Sequence, residues 1–407
     1  MTNINSQTEF ENPVHIAGSP IVSVSPTTDW RRIFSLKEMG VYYALALLVL
    51  ILSIATAYMG KSNYLSLQNI TNVFYQSSLI AMMAVAMTVV LISGNFDLSV
   101  ASVAALAAAV MIGSADSIGF LPACGVGMMV AIAVGLLNGS IVQFLGINAF
   151  IVTLGTLTAI RGLVLLYTDG RSLSVAEPGV IAAMKAFETG RVEVSLLFLA
   201  IGGALLALAA YLFVRGKKDR SWLTPSFAGV ALGGFVLLLV VYINDGQMAL
   251  QKPIIYMAAF TSVVWWVLNF TTIGRRVYAV GGNSEAARLS GINVNLYRLG
   301  AFVLCSGTAG FVGILFASRL RSINPTGLSG AELTVIAAAI LGGTSLFGGA
   351  GSVIRTLAGA LLLYSLTNGF NILNLGANYQ GLIEGIVLVT AAAIYTVGGS
   401  HQGTKSG

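Results

Sequence analysis

Apolar runs of about 17 to 25 residues recur along almost the whole chain, and each is long enough for one helix to cross a bilayer core. Backbone inside lipid must satisfy its own polar groups, which restricts such runs to helix. Hydrophobic residues make up 56% of the 407 and charged residues only 9%, against roughly 25% charged in a soluble domain. The sequence therefore cannot clothe a water-soluble globule, and its fold class is an all-α, polytopic membrane bundle. Spans are read near 40–59, 73–93, 99–114, 121–145, 150–167, 194–214, 227–243, 253–270, 298–318, 332–346, 353–371 and 379–397. That is about 12 transmembrane helices, with 10 or 11 as the lower counts.

The membrane domain is accordingly 40–397, flanked by a polar, mostly disordered N-terminal tail, 1–39, and a short C-terminal tail, 398–407. The first tail is Ser/Thr-rich and lacks the apolar core of a signal peptide. Placing it on the cytoplasmic side makes the loops after even-numbered spans cytoplasmic. Basic residues outnumber acidic ones on that side and only balance them on the other, as positive-inside orientation requires. "RGKKDR" (Arg215–Arg220) and the group Arg275, Arg276, Arg288 and Arg298 both fall inside.

The net charge of +6 is dispersed between apolar runs, not gathered on a basic face with aromatics, so the expected surroundings are membrane lipid and not nucleic acid. His15 and His401 lie in the tails, while Cys124 and Cys305 lie in apolar runs. No metal site, catalytic residue or bound cofactor is expected from that distribution. "ATAYMGKS" (Ala55–Ser62) imitates a phosphate-binding loop, but it closes a membrane span instead of following a buried strand. If ATP drives this protein, another chain must hydrolyse it.

Two spans are interrupted. "LISGNFDLSVAS" (Leu91–Ser102) breaks an apolar run with Ser93, Gly94, Asn95 and Asp97 and resumes as an Ala-rich helix. A carboxylate at membrane depth is costly without partners or water. Asp97 is placed to cap the helix starting near Leu98, and the broken backbone can leave Asn95 and Ser99 facing a polar path. "LGGTSLFGGAGS" (Leu341–Ser352) breaks a later run with Gly342, Gly343 and Thr344, and the two breaks read as pseudo-repeats of one device. Arg161, inside "NAFIVTLGTLTAIRGL" (Asn148–Leu163), calls for a carboxylate, carbonyls or a water-filled cavity unless it snorkels to the outer surface. Glu384 lies one turn into the last span.

"GRRVYAVGGNSEAARLSGINV" (Gly274–Val294) is polar amid oil. Gly281 and Gly282 permit a tight turn; Asn283 or Ser284 supplies an N-cap; Glu285 suits the positive end of a helix; Gly291 stops it. The bracketed helix of about eight residues is roughly 12 Å long and too short to stand alone in water. Ala286, Ala287 and Leu289 give it a small apolar face, with Arg288 and Ser290 beside it. It needs a receiving surface.

The blocks "GNFDLSV", "FIVTLGTLTAIRGL", "GRRVYAVGGNSEAARLSGINV" and "AELTVIAAAILGGTSLFGGAGSV" occur in order, and in them the chain resembles the permease subunit of ABC importers for ribose, xylose, arabinose and galactose. The additional spans near 194–243 look more like the longer, xylose-type members. The resemblance implies that Gly282 to Gly291 carries the coupling helix that docks in a cytoplasmic ATPase subunit, where ATP and Mg are used. It further implies two permease copies, expected as a homodimer in the bacterial inner membrane, and an external sugar-binding protein. The sugar path is then assigned to Asn95, Asp97, Ser99, Thr153, Arg161, Gly342, Gly343 and Thr344, and contacts to the binding protein to the outer Arg171, Arg319 and Arg321. Two positions depart from the family: Asn148 stands where Pro is usual, and Glu384 where a basic residue often stands. The competing expectation is an ion-coupled secondary transporter, which usually carries more ionisable relays within its spans.

Overall fold

The computed structural model describes residues 36–218, 225–375 and 385–386. Of the expected N-terminal tail, 1–39, residues 36–39 already belong to the first helix. Residues 1–35, the C-terminal tail 398–407 and the twelfth span 379–397 with Glu384 lie outside the described residues, save Gly385 and Ile386.

Among the described residues nine helices are long and apolar enough to cross a membrane. They are α1 (Leu36–Tyr58), α2 (Leu67–Ile92), α3 (Val100–Ile118), α4 (Phe120–Phe144), α5 (Ala149–Tyr167), α7 (Ser195–Lys218), α9 (Lys252–Phe270), α12 (Val294–Leu320) and α14 (Val353–Leu373). Two shorter apolar stretches stand at two further expected positions: Val230–Ile243 within α8 (Pro225–Ile243), and α13 (Ala331–Leu341). Three helices are not spans: α6 (Pro178–Glu188), α10 (Thr272–Gly282) and α11 (Ser284–Leu289). Two antiparallel strand pairs complete the described fold, β1 (Leu173–Ser174) with β4 (Ser322–Ile323), and β2 (Arg191–Glu193) with β3 (Ala249–Gln251).

The core forms around α2 and α3. Every residue from 77 to 92 and from 99 to 109 is buried. Such all-round apolarity suits a helix enclosed by others, and α4, α9, α12, α13 and α14 enclose this pair. Because lipid supplies no hydrophobic drive between helices, close approach depends on small residues. Gly135 of α4 lies against Ser306 of α12, and Gly313 of α12 lies on the Ala104 carbonyl of α3. At each, an added methyl would collide. The peripheral pair α7 and α8 crosses in the same way, Gly234 against the Gly202 carbonyl.

Local capping explains several helix starts. Asn148 accepts a hydrogen bond from the Phe150 amide at 2.9 Å and begins α5 at Ala149, so an Asn cap does here what a helix-starting Pro does by fixing φ. Gly281 and Gly282 do not form the expected tight turn. They continue α10 as its last two residues, for a steric reason given below.

Candidate functional site

The two interrupted spans close with one geometry. At the end of α2, Gly94 has φ +83°, its amide donates to Leu91 O at 2.9 Å, and the Asn95 amide donates to Val90 O at 3.1 Å. At the end of α13, Gly343 has φ +76°, its amide donates to Ile340 O at 2.7 Å, and the Thr344 amide donates to Ala339 O at 3.1 Å. Both are Schellman closures, in which glycine takes the left-handed position. The breaks also touch each other: the Gly349 amide donates to Ile92 O at 2.9 Å.

Between α2 and α3, Asp97 is wholly buried, and its Oδ1 accepts from the Ser99 amide at 3.0 Å and the Ser99 hydroxyl at 2.6 Å. It holds the turn that leads into α3 and not the helix itself: α3 starts at Val100, and its N-cap Ser99 makes no side-chain cap bond, so the expected cap at Leu98 is not formed. Asn138 of α4, which the sequence reading passed over, donates Nδ2 to Ser99 Oγ at 3.0 Å. Asn138 Oδ1 is a buried acceptor with no donor among the described residues, whereas the Asp97 carboxylate also accepts from the buried Cys305 thiol of α12. Asn95 is also buried, its Nδ2 3.4 Å from Ser93 Oγ. Thr344 is buried near Thr356, which shares a 2.7 Å hydroxyl contact with Thr88 of α2. Thus Asn95, Asp97, Ser99, Gly342, Gly343 and Thr344 belong to the two breaks. Thr153 does not join them through any hydrogen bond; its hydroxyl returns to Ala149 O of its own helix at 2.8 Å.

Arg161 does not join this cluster. Its Nη1 donates to Gly327 O at 3.1 Å and to Pro325 O at 3.4 Å, clamping the loop after β4. Carbonyls were one of the partners its position demanded.

The short helix α11 forms as its caps dictate, over six residues instead of eight. Asn283 Oδ1 accepts from the Ala286 amide at 3.0 Å, and a third Schellman closure ends it, with Gly291 at φ +78° and the Ile292 amide on Ala287 O at 3.0 Å. The expected face of Ala286, Ala287 and Leu289 is split. Ala287 packs against Val280 and Val294 of this chain, whereas Leu289 is 82% exposed. The helix is therefore seated by its own bundle through one methyl, and does not depend wholly on another surface. Glu285, Ala286, Arg288 and Ser290 are exposed around Leu289.

At the opposite ends of α9 and α12, Arg319 is spent within the chain. Its Nε donates to Glu188 Oε1 at 2.6 Å, its Nη1 to Gln76 Oε1 at 3.2 Å, and its guanidinium lies 4.0 Å from the Tyr75 ring centre. This corrects its expected place among residues offered to a partner: a guanidinium held by a buried carboxylate, an amide and a ring is committed. Arg171 and Arg321 remain exposed, on either side of the β1–β4 pair.

A polytopic helical bundle whose two interrupted spans meet above a short, capped and exposed helix has the build of a membrane permease. The chain belongs to the family described as "Branched-chain amino acid transport system / permease component", which matches residues 69–392. Similar proteins include the ribose import permease protein RbsC of Escherichia coli K12, 33% identical over 355 residues, 86% of this chain and 91% of that protein. The xylose transport system permease protein XylH of the same organism is 32% identical over 340 residues, 81% of this chain and 84% of that one. XylH of Haemophilus influenzae is 32% identical over 363 residues, covering 87% and 94%. The named relatives are as ribose-like as xylose-like, so the helices near 194–243 do not single out the xylose type. No solved structure matches.

Proposed function

We propose that this chain is the membrane-spanning subunit of an ATP-driven, binding-protein-dependent importer of a monosaccharide, working in the bacterial inner membrane with its N terminus in the cytoplasm. The family description names branched-chain amino acids, but the names of the relatives that cover most of this chain concern ribose and xylose. The site chemistry favours a sugar. Each sugar hydroxyl leaving water is a donor in need of an acceptor, and Asn138 Oδ1 is a buried acceptor without a donor beside the α2 break.

The single observation that carries the coupling part of this reading is Leu289, 82% exposed on a helix capped at both ends. A rigid six-residue helix that presents one large apolar side chain ringed by Glu285, Arg288 and Ser290 suits a cleft in a second protein. Its occupant in this reading is a cytoplasmic ATPase subunit that uses ATP and Mg, while this chain binds no cofactor and performs no hydrolysis. Arg171 and Arg321, at the other end, remain the candidates for contact with an external sugar-binding protein. Two copies of the chain are expected to surround one sugar path.

Reconstituting the chain with its candidate ATPase and binding protein, then screening pentoses and hexoses for stimulated ATP turnover, tests the assignment and names the sugar. Uptake driven by a proton or sodium gradient in vesicles without ATP would instead favour an ion-coupled carrier. Charge reversal at Glu285 together with Leu289→Asp should abolish ATPase recruitment; full recruitment and uptake by that variant would defeat the docking assignment.

A further inference from the structure

We propose that Gly281, Tyr278 and Arg298 form a rigid backbone joint that passes movement of α11 to both helix breaks, making them positioning residues for transport and not contacts to cargo or partner. The inference rests on the reading of α11 as the docking helix.

Three segments meet here with almost no side chain between them. The last turn of α10, which runs directly into the Asn283 cap of α11, lies on the end of α2. A methyl group at Gly281 would overlap the Ile92 carbonyl oxygen, the same oxygen that accepts the Gly349 amide. From the α13–α14 loop, Gly348 approaches with φ +87°, and a methyl there would stand 2.6 Å from the Gly281 carbonyl oxygen and 3.0 Å from the Gly94 Cα. Glycine at these positions permits backbone-to-backbone approach.

Two polar ties fix the assembly. The Tyr278 hydroxyl donates to Gly351 O at 2.9 Å, joining α10 to the α13–α14 loop. Arg298 Nε donates to Ser93 O at 3.3 Å, joining α12 to the end of α2. Burial pushes the Tyr278 phenol above its ordinary range, the effect of Arg355 opposing it, so the hydroxyl keeps its proton and its donation. Val277 and Val280 of α10 are buried below.

The mechanical consequence follows from what is absent. Side-chain interfaces yield by changing rotamer, whereas packed backbones have no such slack and pass strain on. A displacement of α11 therefore reaches Ile92–Gly94, and with it Asn95 to Ser99, at the same time as it reaches Gly348–Gly351 and Thr344. One input would move both breaks together.

The test uses the full assembly in proteoliposomes, with ATPase co-purification, ATP turnover and sugar uptake measured on the same preparations. Tyr278→Phe keeps the ring and removes one hydrogen bond; Arg298→Gln removes the second tie; Gly281→Ala forces the backbones apart. The expected result is retained ATPase co-purification with a severalfold fall in sugar moved per ATP, largest for Gly281→Ala. Tyr278→Phe carries the test if the alanine variant fails to fold. An unchanged ratio in Tyr278→Phe and Arg298→Gln, with uptake and turnover intact or falling in step, overturns the joint alone. Failure of the parent chain to retain any ATPase removes the docking reading and the joint with it.

Discussion

Arg319 Nε lies 2.6 Å from Glu188 Oε1, and the Glu188 carboxylate at the end of α6 is fully buried, with the Tyr75 hydroxyl donating to it at 2.9 Å. The pair joins α6, α2 and α12. Removing one partner of a buried pair strands the other charge, whereas replacing both with apolar groups can be nearly neutral. Glu188→Gln is therefore expected to cost about 3 kcal/mol, read by thermal unfolding in detergent. The double variant Glu188→Leu with Arg319→Met should recover most of that loss. A single variant no less stable than the parent would mean that Tyr75 and Gln76 suffice to hold the guanidinium.

Arg161→Met tests the clamp on the loop after β4. The guanidinium serves two carbonyls, Pro325 O and Gly327 O, and a charge-assisted hydrogen bond is worth about 1.5 to 3 kcal/mol. The expected signature is local: proteolysis and hydrogen exchange should increase at 324–330, with little change in α11 or the breaks. Protection unchanged in that loop would assign its order to the β1–β4 pairing instead.

Asn138→Leu removes the donor to Ser99 and the free acceptor Oδ1 while keeping volume. Interhelical hydrogen bonds within membranes average only about 0.6 kcal/mol, so folding should change little. If Oδ1 accepts a sugar hydroxyl in transit, transport should fall far more than stability does, at unchanged binding-protein affinity. Equal, small losses in both measurements would make Asn138 a packing residue.

What was legible in the sequence follows the length scale of each signal. A twenty-residue apolar run has one solution in lipid, so α2 to α5, α9, α12 and α14 were readable to within a few residues, apart from an α2 that starts six residues early at Leu67. The caps Asn283 and Gly291, which act within a few residues, were also readable. The 11-residue α6 and α10 were not, because a short amphipathic segment between spans looks like a loop until its partner is known. The glycines of "AVGG" suggested a turn for the same reason; their actual neighbour, Ile92, is far away in sequence. Glu188 gave no sign in the sequence, because the residues that hold it lie 113 and 131 positions away. Asn138 offered a usable signal, a lone amide in an apolar span that must find a partner on another helix.

The three Schellman glycines separate backbone strain from crowding. Gly94, Gly291 and Gly343 all have positive φ, but a methyl at Gly291 or Gly343 would meet nothing within 4 Å, whereas at Gly94 it would come 3.7 Å from Gly281 Cα and 3.8 Å from Arg298 Nη2. Alanine at Gly291 should therefore cost only the left-handed backbone penalty, roughly 1 to 2 kcal/mol, and asparagine less, since it tolerates that region. Because α11 has just six residues, that local cost should appear as fraying of its last turn, lowering ATPase recruitment while the melting temperature of the bundle holds. Gly291→Asn should restore much of the recruitment, and equal losses in both variants would show that the glycine is needed for space at a docked interface, not for its φ.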